Sequence, residues 1–329
     1  MRRAWKRAGL VLLAGLALVC GAVVVQSQRH PPLDPYRSLT LPEAPSGAAV
    51  RVRFAGTTTL LFEDGETAWM TDGFFSRPSF PAVALGRIAP DPAAIDSGLK
   101  RLDVTRLAAV VPVHSHYDHA MDAPLVAQRT GALLIGSGST LNVGRGLGLG
   151  EDRLREVRPG DSVTLGRFTL RFVASRHSPT PFTDGTTVET IDAPLVPPAR
   201  FNAWREGQCW SLLVEHAAGG RWLVQGSAGF IPGALSGQHA DTVFLGVGTL
   251  GKKDTAYRTA YWNEVVKAVG ARRVIPIHWD AFWVPLDQPL VAMPLLGDDF
   301  ETTMHDLQAR ATRDGVEVRM APTFTRFVP

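Results

Sequence analysis

The densest chemistry in the chain is His114-Ser115-His116-Tyr117-Asp118-His119, which directly follows the apolar run Leu107 to Val113. A continuous apolar run of that length reads as a strand covered on both faces. Alternate residues of an extended segment face the same way, so His114 and His116 can grip one cation together. Where the chain turns toward a helix, Asp118 and His119 can face a second. Neutral imidazole and carboxylate are the donors expected for Zn²⁺ or another borderline divalent metal. A solvated polar turn and a purely structural metal site are the alternatives for such a segment.

The elements around this motif alternate in a way that can hold it. Val50 to Phe54, Thr58 to Glu63 and Thr67 to Thr71 read as successive strands, with Glu63-Asp64-Gly65-Glu66 as a hairpin turn. Helical spacing follows the motif at Met121 to Arg129, and short strands are expected near Ala132 to Ile135 and Phe168 to Ala174. Trp210 to Glu215 and Arg221 to Gln225 form a second hairpin around Ala218-Gly219-Gly220. Strands at Thr242 to Val247 and Arg272 to Ile277 flank a helix from about Asp254 to Val269. A helix at Asp298 to Arg313 and a strand at Val316 to Met320 close the pattern. Hairpins first and strand–helix alternation later make a layered α/β domain. No internal repeat and no low-complexity linker interrupts it after residue 47.

With its H-x-H-x-D-H motif after a buried strand, the chain resembles the metallo-β-lactamase superfamily over essentially all of Val50 to Pro329. Thr71-Asp72-Gly73 resembles the first family motif, whose Asp supports the ligands from behind. Arg176-His177-Ser178 resembles the third, whose His completes the first metal site. Pro276-Ile277-His278-Trp279 resembles the last, whose His joins the second site. The resemblance implies an α/β, four-layer αββα sandwich with His114, His116 and His177 on one ion and Asp118, His119 and His278 on another. His30, His216, His239 and His305 have no such context and read as structural or solvent-exposed. The opening Arg53-Phe54-Ala55-Gly56-Thr57-Thr58-Thr59 is similar to the branch that contains L-ascorbate-6-phosphate lactonase and N-acyl-phosphatidylethanolamine phospholipase D.

One departure from the family changes the expected chemistry. The carboxylate that bridges the two metals is replaced by Ser227, in Gln225-Gly226-Ser227. A neutral hydroxyl is a far weaker ligand, so one ion is expected to bind tightly and a second weakly or not at all. Asp280 offers itself as a substitute, although a solvated loop carboxylate is the plainer reading. The resemblance implies a hydrolase in which metal-bound hydroxide attacks an ester, lactone, amide or phosphodiester centre, with Asp118 orienting the nucleophile. The rival class is a non-catalytic, membrane-anchored metal-binding module, degenerate at Ser227. Phe74 and Phe75 after Asp72, with Trp279, Phe282 and Trp283 after or beside His278, read either as core packing or as an apolar mouth for a lipid-like substrate.

The two ends of the composition differ. Of 34 Lys and Arg against 31 Asp and Glu, Arg2, Arg3, Lys6, Arg7 and Arg29 fall in the first thirty residues, which hold no acid. Without those five, 29 basic residues face 31 acidic ones, a net of −2 that argues against nucleic-acid binding. Ala8 to Val25 is an unbroken run of apolar and small residues. At ~1.5 Å per residue it nearly matches the ~30 Å hydrocarbon core. Basic residues ahead of it should stay in the cytoplasm, which puts the body outside. Residues 1–28 are therefore expected to be a signal anchor or cleaved signal peptide, 29–47 a Pro-rich extended tether, and 48–329 the hydrolase domain. The body would be membrane-anchored on the extracytoplasmic side, or secreted if the segment is removed. Cys20 lies in the apolar run and Cys209 has no partner in the body, so no disulfide is expected.

Overall fold

Glu63-Asp64-Gly65-Glu66 reverses the chain because Gly65 takes a positive φ and Asp64 Oδ1 accepts the amides of Glu66 and Thr67, at 2.9 and 2.7 Å. That turn joins β2 (Leu60–Glu63) to β3 (Ala68–Thr71), and β1 (Arg51–Phe54) pairs antiparallel on the other side of β2. β4 (Ala109–Val111), β5 (Leu133–Gly136) and β6 (Leu154–Glu156) then add in parallel, giving a six-stranded sheet in sequential order. The computed structural model describes residues 28–180 and 185–329, with Gly15, Gly21, Val25 and Gln26.

The second sheet has seven strands. β7 (Ser162–Leu165), β8 (Phe168–Ser175), β9 (Cys209–His216) and β10 (Arg221–Gln225) pair antiparallel in sequence. β11 (Thr242–Gly246), β12 (Arg273–Ile277) and β13 (Glu317–Val318) follow β10 in parallel. The sheets pack face to face through aromatic side chains. Phe62 on β2 stacks on Trp69 at 4.6 Å, and its ring lies 5.6 Å from Phe244, 6.1 Å from Trp222 and 6.5 Å from Phe168 of the other sheet. Helices cover the outer faces: Ala123–Thr130 and Gly138–Gly146 on the first sheet, Phe300–Asp314 against β13 of the second. Helix Thr255–Tyr261 runs on into a wider turn, Trp262–Lys267. This is the layered sandwich that the motif order implied. Helices Phe80–Leu85, Pro92–Arg101 and Gly138–Gly146 were not legible in the sequence pattern.

The segment expected to be an extended tether is instead laid along the body. Asp34–Leu39 forms a short 3₁₀ helix, Tyr36 is buried edge-on against Phe300 at 5.5 Å, and Leu41 N–H donates to Met320 carbonyl. Apolar residues set between the prolines supply a buried face that a free tether would lack. The apolar run read as a signal anchor lies outside the described residues, save for Gly15, Gly21 and Val25. Among the described residues, no helix is long and apolar enough to cross a membrane.

Phe62 is fully buried at the sheet–sheet contact. Phe62→Ala should lower stability by about 3–5 kcal/mol. Urea denaturation should show a lower midpoint with an unchanged slope; a changed slope would mean that the two sheets no longer unfold together.

Candidate metal centre

The first functional residue of each motif sits just beyond the C-terminal end of a strand, and Asp118 and His119 lie in the helical turn Tyr117–Ala120 that follows His116. Asp72 follows β3, His114 follows β4, His177 follows β8, Ser227 follows β10 and His278 follows β12. These strands all point the same way, so their ends form one edge. The two halves of that edge are joined by Trp210 N–H donating to Val113 carbonyl at 2.9 Å and Ser115 N–H donating to Glu206 carbonyl at 2.7 Å. Gly226 allows the approach, since a Cβ there would collide with Val113.

His114, His116 and His177 bring one donor atom each to within 4.8 Å of the others. His114 Nε2 and His116 Nδ1 are 3.1 Å apart, close to the roughly 3.3 Å between neighbouring donors of a tetrahedral zinc. His177 Nδ1–H donates to the Ser178 carbonyl at 2.8 Å, which fixes the tautomer and leaves Nε2 as a free donor. Burial holds these rings neutral, as metal binding requires, pushing His116 down to about 4 and His177 to about 3.

Asp118, His119 and His278 form the second group. His278 Nε2 lies 3.2 Å from His119 Nε2 and 3.3 Å from Asp118 Oδ2. His119 Nδ1 donates to Asp72 Oδ2 at 2.8 Å, while Asp72 Oδ1 takes the Val113 amide at 2.9 Å. Thr58 Oγ also donates to Asp72. Burial works to lower the His119 pKa, but Asp72 and Asp118 outweigh it and raise it. Burial works to raise Asp118, but His119, His278 and His116 hold its carboxyl well below the usual range.

Other residues stand differently from their sequence reading. Asp280 is not a solvated loop carboxylate: it is fully buried, accepting from Arg77 Nη2 at 2.6 Å and the Thr57 amide at 2.7 Å. Both its oxygens are thus committed away from the donor groups. Ser227 Oγ accepts the Ser178 amide at 2.8 Å, beside His177. Trp279 is core, not mouth, with Phe54 and Phe300 at 6.2 and 5.5 Å. Phe74 is buried against Tyr117, and Phe75 is buried under Gly98. Phe282 and Trp283 are half-buried, with Phe282 5.5 Å from the His278 ring and 6.1 Å from Tyr117. His216 bonds to Asp64 and His30 to the Ala292 carbonyl, while His239 and His305 are exposed. Cys209 is buried and donates to Glu206.

Over the first donor group opens a cleft of about 710 Å³, walled by Tyr117, Phe201, Trp204 and Glu206. Burial raises the Glu206 carboxyl pKa. Sequence reasoning missed Glu206 and Arg77, since neither carries a motif and the contacts that place them at the site, to Ser115 and Asp280, are distant in the chain.

Two sheets with paired His and carboxylate donors at their shared edge define a metal-dependent hydrolase of the metallo-β-lactamase type. Residues 78–279 match the beta-lactamase superfamily domain, and the chain belongs to that superfamily. Its fold is similar to that of Igni18, a metallo hydrolase from Ignicoccus hospitalis, at 14% identity and TM-score 0.51, covering 85% of this chain and 97% of that one. YhfI from Bacillus subtilis, a metallo-beta-lactamase fold protein, gives 14% and 0.51 over 84% and 98%. CmlA, a diiron beta-hydroxylase from Streptomyces venezuelae, gives 15% and 0.51 over 87% of this chain and 55% of that one. No curated protein sequence matches the chain.

Asp122 fixes the loop that follows Asp72. Its carboxylate accepts from the Phe75 and Ser76 amides at 2.7 and 2.6 Å and from Ser76 Oγ at 2.6 Å. Burial outweighs these bonds and raises its pKa to about 6 from an ordinary 3.8. The folded chain therefore holds this proton more firmly than the unfolded chain. Its contribution is full below pH about 4 and lost as pH rises through about 6. Asp122→Asn should flatten that part of the stability profile, read from urea midpoints across this range; an unchanged slope would assign it to other groups.

Proposed function

We propose that the protein hydrolyses an ester, lactone or phosphodiester bond of a lipid-like substrate, with its body tethered at the extracytoplasmic face of a membrane. The observation that carries the hydrolase reading is the meeting of two His and His/carboxylate donor groups beneath an open cleft. These residues fit a metal: imidazoles aim ring nitrogens at one another at close range, an arrangement that a shared cation satisfies. Such an ion supplies Lewis acidity, making hydroxide available at neutral pH and drawing charge from a carbonyl or phosphoryl oxygen.

His114, His116 and His177 would hold the tight ion, and Asp118, His119 and His278 a weaker one. Zinc suits this donor set, though imidazole and carboxylate serve iron as well. Asp118 stays ionised and reaches the cleft, where it accepts a hydrogen bond from the attacking water and aims it. Tyr117, Phe201 and Trp204 supply apolar wall to the same space.

The membrane reading draws support from where the N-terminal segment meets the body. The Arg29 carbonyl takes the Leu295 amide and His30 bonds to Ala292, which itself bridges to Asp280. The apolar run would thus leave the body near Phe282 and Trp283. Trp283 touches Phe80 at 5.4 Å, and Phe80 and Leu85 are 50% and 83% exposed. A single apolar contact of this kind is worth ~1.5–3 kcal/mol. Phe80→Asp with Leu85→Asp should cut turnover of a phospholipid in vesicles roughly tenfold or more, and leave a soluble p-nitrophenyl ester unaffected. Full-length protein that fails to float with vesicles would refute the tether.

The rival reading, a metal-binding module without activity, is favoured by Ser227, which brings no charge to the place where two dications would need it. Hydrolysis screens on bis(p-nitrophenyl) phosphate, lactones and carboxylic esters with added Zn²⁺ or Mn²⁺ decide between them. After dialysis the parent should retain one ion per chain, and Ser227→Asp should approach two. Two firmly held ions in the parent would show that another group has replaced the lost charge.

A further inference from the structure

Three of the metal-facing histidines differ in what holds their rings. His119 Nδ1 is bonded to Asp72, and His177 Nδ1 to a carbonyl. His278 Nδ1, like His114 Nδ1, is buried with no hydrogen-bond partner. A ligating histidine is ordinarily oriented by a hydrogen bond from its other nitrogen, so His278 must be oriented through its backbone. That backbone is unusual, with φ +59°, a conformation a side-chain-bearing residue rarely adopts.

What holds it is Thr57, itself at φ +50°. The His278 amide donates to the Thr57 carbonyl at 2.6 Å, and the Thr57 amide donates to Asp280 Oδ1 at 2.7 Å. The peptide of Thr57 is thereby gripped from both sides by the segment that carries His278. Asp280 is in turn fixed by Arg77 Nη2 at 2.6 Å, in an ion pair with no exposed side-chain surface on either partner. Arg77 also reaches the Thr57 hydroxyl and the Val284 carbonyl, both at 3.4 Å, and it too has a positive φ. At Gly56 a Cβ would run into Arg77 Nη2 and stand 2.8 Å from Asp280 Oδ2, so the glycine leaves room for the pair.

We propose that the Arg77–Asp280 ion pair is the positioning device for His278, doing through the backbone what an Nδ1 partner does for His119 and His177. It thereby determines whether Asp118, His119 and His278 can close on a second divalent cation. The proposal rests on the two-ion reading above. Neither residue touches the metal or the substrate; both act through His278.

The test separates positioning from simple stability. Removing one partner leaves a buried charge unpaired, whereas replacing both with apolar residues of similar size is often tolerated. Full-length Arg77→Met/Asp280→Leu should therefore keep a melting temperature near the parent's. Asp280→Asn, which keeps an acceptor for the Thr57 amide, is the milder variant if the double one does not fold. Co²⁺ titrations, in the parent and in Ser227→Asp, should show first-site affinity unchanged within about twofold and second-site affinity 10–100-fold weaker, the range seen when a ligand's orienting partner is lost. In metal-free protein with ¹³Cε1-labelled histidine, the His278 signal should broaden or split while those of His114, His116 and His177 stay put. A stably folded variant with an unchanged His278 signal and unchanged second-site affinity would overturn the proposal. If neither background takes up a second Co²⁺, the two-ion reading fails, and the His278 signal alone decides whether the pair positions that ring.

Discussion

Everything at the candidate site depends on one close approach between the two sheets. The Trp210 amide bonds to the Val113 carbonyl, and Gly226 lies against the Val113 side chain with no room for a Cβ. Val113 is the last residue before His114, so the contact registers the first sheet's donors against those of the second. Without it His114 and His116 would belong to one sheet edge and His177 to another. The aromatic packing around Phe62 sets the distance between the sheets, but it could be satisfied by a small slide. The hydrogen bond and the glycine cannot.

The two donor groups solve the same electrostatic problem in opposite ways. Around His114, His116 and His177, burial suppresses charge, so three neutral rings can crowd together. Around His119 and His278, carboxylates are brought in: Asp118 within reach of both rings and Asp72 behind His119. The first group is ready for a cation, whereas the second already contains compensating charge. Ser227, neutral and bonded to Ser178, adds nothing to that balance.

How much of this was legible in the sequence followed how local each feature is. H-x-H-x-D-H could be read because strand alternation and the following turn fix the relative directions of six consecutive residues. His177 and His278 were visible only through their order after strands, since nothing local marks an isolated histidine. The strands were found within a residue or two where apolar runs were long, as at Arg221–Gln225. Helix Phe80–Leu85 is apolar at every position and buries none of them, so no alternation of apolar and polar residues betrays it. Asp280 misled because its partner, Arg77, lies 203 positions away. Trp279 misled because the chain leaves the strand at His278 with a positive φ, and the aromatic that follows lands in the core. The segment before residue 48 reads as a tether by its prolines, yet Tyr36 and Leu41 between them find buried places on the body.

The margin of the first sheet carries a consequence for the order in which the chain can fold. Its outer strand, β1, is bridged on its free side at Phe54 to Thr323 and at Val52 to Phe327, and Arg326 pairs with Glu63 on β2. A ribosome makes β1 well before these partners, so the strand waits while the rest of both sheets is synthesised before its open side is covered. Until then β1 presents unpaired amides and carbonyls to any neighbouring chain, the usual template for edge-to-edge association. Arg51 and Arg53 on that strand supply the charge that discourages such pairing. The same arginines later meet Glu63 in the finished sheet, so residues that guard the nascent strand become part of its permanent cover.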